Sequence, residues 1–210
     1  MRISHIKQDS YVDGPSGPRA ALFVQGCKRS CPGCQSQHLW SHDGGKNVSA
    51  WKLALQLLET GQPITISGGE PFEQPGPLSI LLERIKQLDP HGHVIVYTGY
   101  TWETLIASHH PSVVRSFANI DILVDGPYIA GQDHDRLQWR GSVNQRAIDV
   151  RATLAKMAAV KIDPVVVDWD TPTLILTEAG DLLGAAALID ELTQDGASTR
   201  RCGQTDTEAR

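Results

Sequence analysis

Four short apolar runs, each ending in glycine and separated from the next by a helical stretch, restrict this chain to few architectures. The runs are ALFVQG, PITISGG, HVIVYTG and IDILVDG, closed at Gly26, Gly68, Gly99 and Gly126. Short apolar runs bounded by turn residues predict buried strands. Between them, Ser49 is placed to cap a helix on which Trp51, Leu55 and Leu58 repeat at helical spacing, with Gly61 to end it. PLSILLERIKQLDP sets Leu78, Leu81, Leu82 and Ile85 on one helix face and stops before Pro90, and TWETLIASHH takes Thr101 as its cap. Strands that alternate with helices pair in parallel through right-handed crossovers. The expected fold class is therefore α/β, a parallel sheet with helices outside. Ligands in such folds gather at the carboxyl ends of strands, so the cysteines after Gly26, the SGGE and the VDG are expected on one rim.

Past Gln145 the pattern loosens. AIDV reads as a strand, RATLAKMAA as a helix, PVVVDWD and TLILT as two more strands, and DLLGAAALIDEL as a final helix. The remainder, TQDGASTRRCGQTDTEAR, is polar and is expected to be disordered. A length of 210 residues implies a single domain with a full core. The formal charge of −5 argues against a nucleic-acid partner. No apolar run approaches the roughly 20 residues of a membrane span, and MRISHIKQDS lacks the apolar stretch of a signal peptide. A cytoplasmic location follows as the expectation, with reduced thiols that favour metal binding over disulfides.

Three of the four cysteines fall within VQGCKRSCPGC, as Cys27, Cys31 and Cys34 in a C-x3-C-x2-C spacing. Tetrahedral zinc and a four-iron cluster both take four ligands. In the first reading His38 completes a Cys3His zinc set, although structural zinc commonly pairs two separated ligand hairpins. In the second, three cysteines hold a [4Fe–4S] cluster and leave one iron open to a substrate or cofactor. Cys202, on the polar tail, is either a distant fourth ligand or a solvated thiol. On ISGGEP, Gly68 and Gly69 let a ligand approach the backbone, and the Glu70 carboxylate suits an ammonium group. The alternative is an ordinary strand-to-loop turn. Lys28 and Arg29 form a basic pair, read either as a solvated turn or as a docking spot for an acidic electron donor.

The C-x3-C-x2-C followed by GGEP resembles the radical S-adenosylmethionine enzymes. DGP, PRAALFVQGCKRSCPGC, SGGEP, VYTGY, DILVDGPY and WRGSVNQR, in that order from about Asp13 to Arg146, more closely resemble the family of anaerobic ribonucleotide reductase activating proteins. The resemblance implies a partial (βα) barrel over residues 1–155; the chain departs from the family by continuing beyond it, with a C-terminal extension over 156–192 expected to pack on that core and the polar tail over 193–210. It implies a [4Fe–4S] cluster on Cys27, Cys31 and Cys34, with S-adenosylmethionine as the missing ligand. Gly33, Cys34 and Gln35 would touch that cofactor through their backbone. Gly69 would lie against its methionyl part, so that Gly69→Val blocks the cofactor and spares the cluster; Gly68 and Glu70 would shape the same pocket. Asp125 and Asn144 become candidates for its ribose and carboxylate, beside the plainer reading that each caps a loop.

The implied activity is reductive cleavage of S-adenosylmethionine to a 5′-deoxyadenosyl radical, which takes a hydrogen atom from a glycine of the reductase. The cofactors carry that chemistry and the protein orients them. The implied partners are a glycyl-radical enzyme and a flavodoxin- or ferredoxin-type electron donor. The same scaffold also resembles radical enzymes that modify a peptide or a small metabolite. A binding module without turnover, holding zinc or a cluster, is the third reading.

Overall fold

The glycine-ended runs form the middle of one sheet. The computed structural model describes residues 1–158, together with 164, 166 and 167. Strands are β1 (Arg2–Ser10), β2 (Arg19–Val24), β3 (Lys46–Asn47), β4 (Ile64–Gly68), β5 (Val94–Tyr97), β6 (Ile122–Asp125), β7 (Arg146–Asp149) and β8 (Val166–Val167). Helices are α1 (Ala50–Leu58), α2 (Pro75–Leu88), α3 (Trp102–Ala107), α4 (Pro111–Phe117) and α5 (Val150–Met157). Among the described residues the strands follow the order β3-β1-β2-β4-β5-β6-β7-β8.

Pairing is parallel across β2, β4, β5 and β6, with Val24 opposite Gly68, Ile66 opposite Val96 and Tyr97 opposite Val124. That register brings the four carboxyl ends level along one edge. The expectation of a wholly parallel sheet is corrected at both flanks. β1 and β3 add antiparallel on one side, and β7 and β8 on the other. No helix separates β1 from β2 or β6 from β7, and such helix-free connections leave antiparallel pairing as the accessible geometry there. The result is a mixed α/β fold with an open sheet.

Side chains alternate between two environments along the central strands. Ala20, Leu22, Val24, Ile64, Ile66, Val94, Val96, Leu123 and Ile148 join one large core with residues of the helices. Ile95, Val124 and Ala147 turn the other way into a small cluster, against which Tyr97 and Trp139 pack. All five helices thus contribute to one face, and the second face is left to loops.

Helix caps fall where expected. Ser49 accepts from the Lys52 N–H and Thr101 from the Thr104 N–H. On α1, however, Leu53, Ala54 and Leu57 are buried, whereas Trp51 and Leu55 remain 51% and 48% exposed. The helix carries two apolar stripes, and the one with smaller side chains is the one that packs on α2 and β2. β1 and α4 were not anticipated. TLILT, DLLGAAALIDEL, Cys202 and the tail lie outside the described residues. No helix among the described residues is long and apolar enough to cross a membrane.

A fully buried guanidinium braces the second face. Arg19 donates from Nε to Thr65 Oγ1 (2.7 Å) and from Nη2 to the Ile64 carbonyl (2.6 Å), with Nη1 on the Pro15 carbonyl (3.2 Å). Burial lowers its pKa to about 10. His93 Nδ1 lies 3.3 Å from Arg19 Nη2 and accepts there as a neutral ring. Burial, then the neighbouring Arg19 and Lys86 charges, depress the His93 pKa from 6.5 to about 4, against the opposing pull of Asp121. A depressed folded pKa means that stability is present above pH 6.5 and drains as pH falls toward 4, because the unfolded chain takes the proton first. Denaturant unfolding is expected to show native protein losing on the order of 2 kcal/mol more than His93→Asn between pH 7 and pH 5. Equal losses in the two proteins would remove His93 as the cause.

Candidate functional site

The cysteines stand on the loop that leaves β2, and that loop is tied down at several points. Gly26 donates to the Leu39 carbonyl (2.8 Å) and Cys27 to the Trp40 carbonyl (3.0 Å). Glu73 holds the next residue: its Oε1 accepts from the Lys28 N–H (2.7 Å), and its Oε2 pairs with His42 Nε2 (2.8 Å). Inside the loop, Cys34 N–H reaches the Cys31 carbonyl (3.1 Å). Removing the Glu73 carboxylate frees two partners at once, each bond to a charged acceptor contributing about 1.5–3 kcal/mol. Glu73→Ala is expected to retain the fold yet release iron to a chelator several-fold faster than native protein. An unchanged release rate would show that Glu73 does not order the loop.

Two glycines join β4 to this loop. Gly69 donates to the Val24 carbonyl (2.9 Å) and Glu70 to the Gly26 carbonyl (2.8 Å). A Cβ on Gly69 would stand 2.3 Å from the Gly26 oxygen, and one on Gly68 would stand 2.6 Å from the Val24 nitrogen. Gly68 also has φ +101°, a region L side chains rarely adopt. These glycines therefore make room for the backbone of β2 and its loop. Both still border the cavity described next.

At the carboxyl ends of the parallel strands, over the loop-covered face of the sheet, lies a cavity of about 490 Å³. Cys27, Cys31 and Cys34 line it, with Gln35, Gly68, Gly69 and Glu70. Phe23, Ser67 and Tyr97 form its floor side, and Tyr128, Leu137 and Trp139 reach it from the β6–β7 connection. That connection holds parts of DILVDGPY and WRGSVNQR, but nothing in their spacing announces these apolar walls. Gly33, exposed and at φ +76°, lies beside Ala130 and Tyr128, the latter on the cavity wall.

Glu70 is 1% exposed. Its Oε1 accepts from Phe72 N–H (3.0 Å) and Thr98 Oγ1 (2.8 Å), and its Oε2 from Gly99 N–H (2.8 Å). Burial raises its pKa to about 7, while these hydrogen bonds and the Arg29 charge favour the carboxylate. Asp125 and Asn144 do not border the cavity. Asp125 accepts from the Trp102 N–H (2.7 Å) and from Arg146, with Nη2 at 2.5 Å. Asn144 donates to the Pro127 carbonyl (2.8 Å) and accepts from Ser142 (2.7 Å). Both side chains hold neighbouring loops. The basic pair also divides. Lys28 is exposed, but Arg29 turns inward onto the cavity wall, so the two do not form one docking patch.

The thiols suit an iron–sulfur group. All three are half-buried on one wall, and the Ser36 N–H already points at Cys34 Sγ (3.4 Å), the kind of bond that steadies a bound thiolate sulfur. The sulfurs are not themselves drawn into a coordinating trio, and no three His, Cys, Asp or Glu side chains set to hold a metal occur among the described residues. His38 is exposed on a short helical turn and stays off the cavity wall.

Similarity to known proteins points the same way. The family model described as a 4Fe-4S single cluster domain matches residues 12–148. The anaerobic ribonucleoside-triphosphate reductase-activating protein of Vibrio cholerae is 36% identical over 143 residues, covering 64% of this chain and 88% of the relative. That of Escherichia coli K12 is 34% identical over 142 residues, covering 64% and 89%. The pyruvate formate-lyase-activating enzyme of Clostridium pasteurianum is 36% identical over 129 residues, covering 57% of this chain and 53% of the relative.

Proposed function

The chain belongs to the radical S-adenosylmethionine activases that carry the 4Fe-4S single cluster domain, and on that premise we propose that it makes a glycyl radical on an anaerobic ribonucleoside-triphosphate reductase. It is an enzyme whose cofactors are a [4Fe–4S] cluster and S-adenosylmethionine. Membership sets aside the reading as a zinc module completed by His38. The observation that carries the proposal is the pinning of β4 on the cysteine loop, which sets three thiols, the glycine pair and Glu70 around one cavity.

In this reading Cys27, Cys31 and Cys34 hold the cluster, and the cofactor lies between the backbone at Gly33, Cys34 and Gln35 and the Gly68, Gly69 and Glu70 segment. When bound, the pair supplies reductive carbon–sulfur cleavage and a hydrogen-abstracting radical. The protein's own work is positional. Glu70, held by the Phe72 and Gly99 N–H groups and Thr98, presents a fixed carboxylate to an ammonium group. Tyr97, Tyr128, Leu137 and Trp139 keep water from the reacting centre. Residues 1–155 form the catalytic core, a partial (βα) barrel; helices on one face and a cavity on the other support that shape. The electron donor is of the flavodoxin or ferredoxin type and the setting is the cytoplasm, with neither nucleic acid nor membrane as partner.

The test is anaerobic reconstitution followed by reduction with S-adenosylmethionine and a ribonucleoside-triphosphate reductase. About four irons per chain, cofactor cleavage and a glycyl doublet in the paramagnetic resonance spectrum of the reductase are expected. Cleavage without that doublet would move the substrate to another peptide or a metabolite. Absence of both iron and cleavage would overturn the reading altogether.

A further inference from the structure

Trp139 holds a backbone conformation that a bulky residue rarely takes, with φ +51°. A left-handed residue other than glycine persists only where its surroundings over-determine it, and such residues gather at functional sites. Here the indole packs beside Tyr97 on the Ile95, Val124 and Ala147 cluster, and Trp139, Arg140 and Gly141 all border the cavity. Tyr97, the last residue of β5, supplies part of the restraint. Its Oη donates to the Trp139 carbonyl at 2.6 Å, across 42 positions of sequence. Burial, then the Asp13 charge, raise the Tyr97 pKa against the pull of Arg19, so the phenol keeps the proton it donates. Other bonds of the turn stay within the β6–β7 connection or reach the end of β6: Gly141 N–H to Gln145 Oε1 (2.7 Å), and Gln145 Nε2 to the Gly126 carbonyl (2.9 Å). The Tyr97 bond instead ties the turn to β5, whose own end borders the cavity.

We infer that Tyr97 is a positioning residue whose hydroxyl holds the Trp139–Gly141 wall in its strained turn, and so reserves the radical for the intended hydrogen donor. This rests on the function proposed above and narrows the sheltering role given there to one bond. Phenylalanine would fill the same space and pack on the same cluster, so the hydroxyl alone separates packing from positioning. A 5′-deoxyadenosyl radical that meets a buffer thiol takes the thiol's hydrogen atom. It leaves 5′-deoxyadenosine and a thiyl radical, and no glycyl radical. Keeping such donors out is what an enclosed site provides. A loosened wall therefore registers as cofactor spent without product.

The experiment compares native full chain with Tyr97→Phe in two states. In the first, without cofactors, amide hydrogen exchange is followed peptide by peptide. Loss of the hydroxyl bond is expected to speed exchange over residues 137–145 by about three- to tenfold, and to leave β2 and β4 unchanged. In the second, the reconstituted enzyme works on the reductase in the presence of dithiothreitol. The 5′-deoxyadenosine formed per glycyl spin should rise at least about threefold at native iron content, and rise further with thiol concentration. Native exchange rates would overturn the inference by showing that other contacts hold the turn. Faster exchange with a native product ratio would overturn it by making the bond structural alone. Faster exchange throughout the chain would do the same by making Tyr97 a general support of the core. Native protein that cleaves no S-adenosylmethionine would instead remove the proposed function, and this role with it.

Discussion

Gly69→Val is expected to lose its iron as well as its cofactor. A Cβ at that position meets the Gly26 carbonyl oxygen at 2.3 Å and the Gly26 carbon at 2.9 Å, and both are backbone atoms of the residue that precedes Cys27. Neither can rotate away as a side chain would. Relief requires the β4 end and the cysteine loop to separate, breaking the Gly69–Val24 and Glu70–Gly26 hydrogen bonds that join them. The cost is at least about 3 kcal/mol, beyond ordinary overpacking because the obstacle is main chain. Iron per chain after reconstitution should fall to a small fraction of native, together with thermal stability. A variant that kept its full iron and failed only in cofactor binding would restore the simpler reading, in which this glycine clears space for a ligand.

Single replacement of Cys27, Cys31 or Cys34 by alanine is expected to abolish the cluster and reduce S-adenosylmethionine cleavage to background. With three thiolates on one loop no spare is at hand among the described residues, because His38 is exposed and away from the cavity. His38→Ala and Cys202→Ala should therefore keep native iron and native absorbance of the cluster. Loss of metal in His38→Ala, with zinc in the native protein, would contradict the iron assignment directly. Wild-type iron in any one of the three cysteine variants would remove that residue from the ligand set.

Much of the central sheet was legible because buried parallel strands read as unbroken apolar runs, and Gly26, Gly68 and Gly126 mark their ends with left-handed φ. β1 was not, because only Ile3 and Ser10 of its nine residues are buried and its apolar content is thin. Helix α1 offered two stripes, and only packing against α2 and β2 could choose between them. The glycine pair was visible as a requirement for no side chain, but not what the side chain would strike. Asp125 and Arg146 lie 21 positions apart, so no local spacing announces that one spends the other's charge. Lys28 and Arg29 are neighbours that diverge, a difference of side-chain direction that composition cannot carry.

One side of the cavity's mouth is fastened from below. Val12 and Asp13 stand at its lip, and the loop that bears them is bolted to the sheet. Thr65 Oγ1 donates to the Asp13 carbonyl (2.6 Å), Ser10 bonds the Asp13 carboxylate, and Arg19 takes the Pro15 carbonyl (3.2 Å). Displacing this lip means stripping partners from a guanidinium with no solvent exposure. It behaves as a fixed jamb. Another side carries the β6–β7 connection, which holds Tyr128 and Leu137 on the cavity wall and is latched by Tyr97 Oη on the Trp139 carbonyl (2.6 Å). Both sides of the mouth are thus tied to the strands beneath, one through Arg19 and Thr65 and the other through Tyr97.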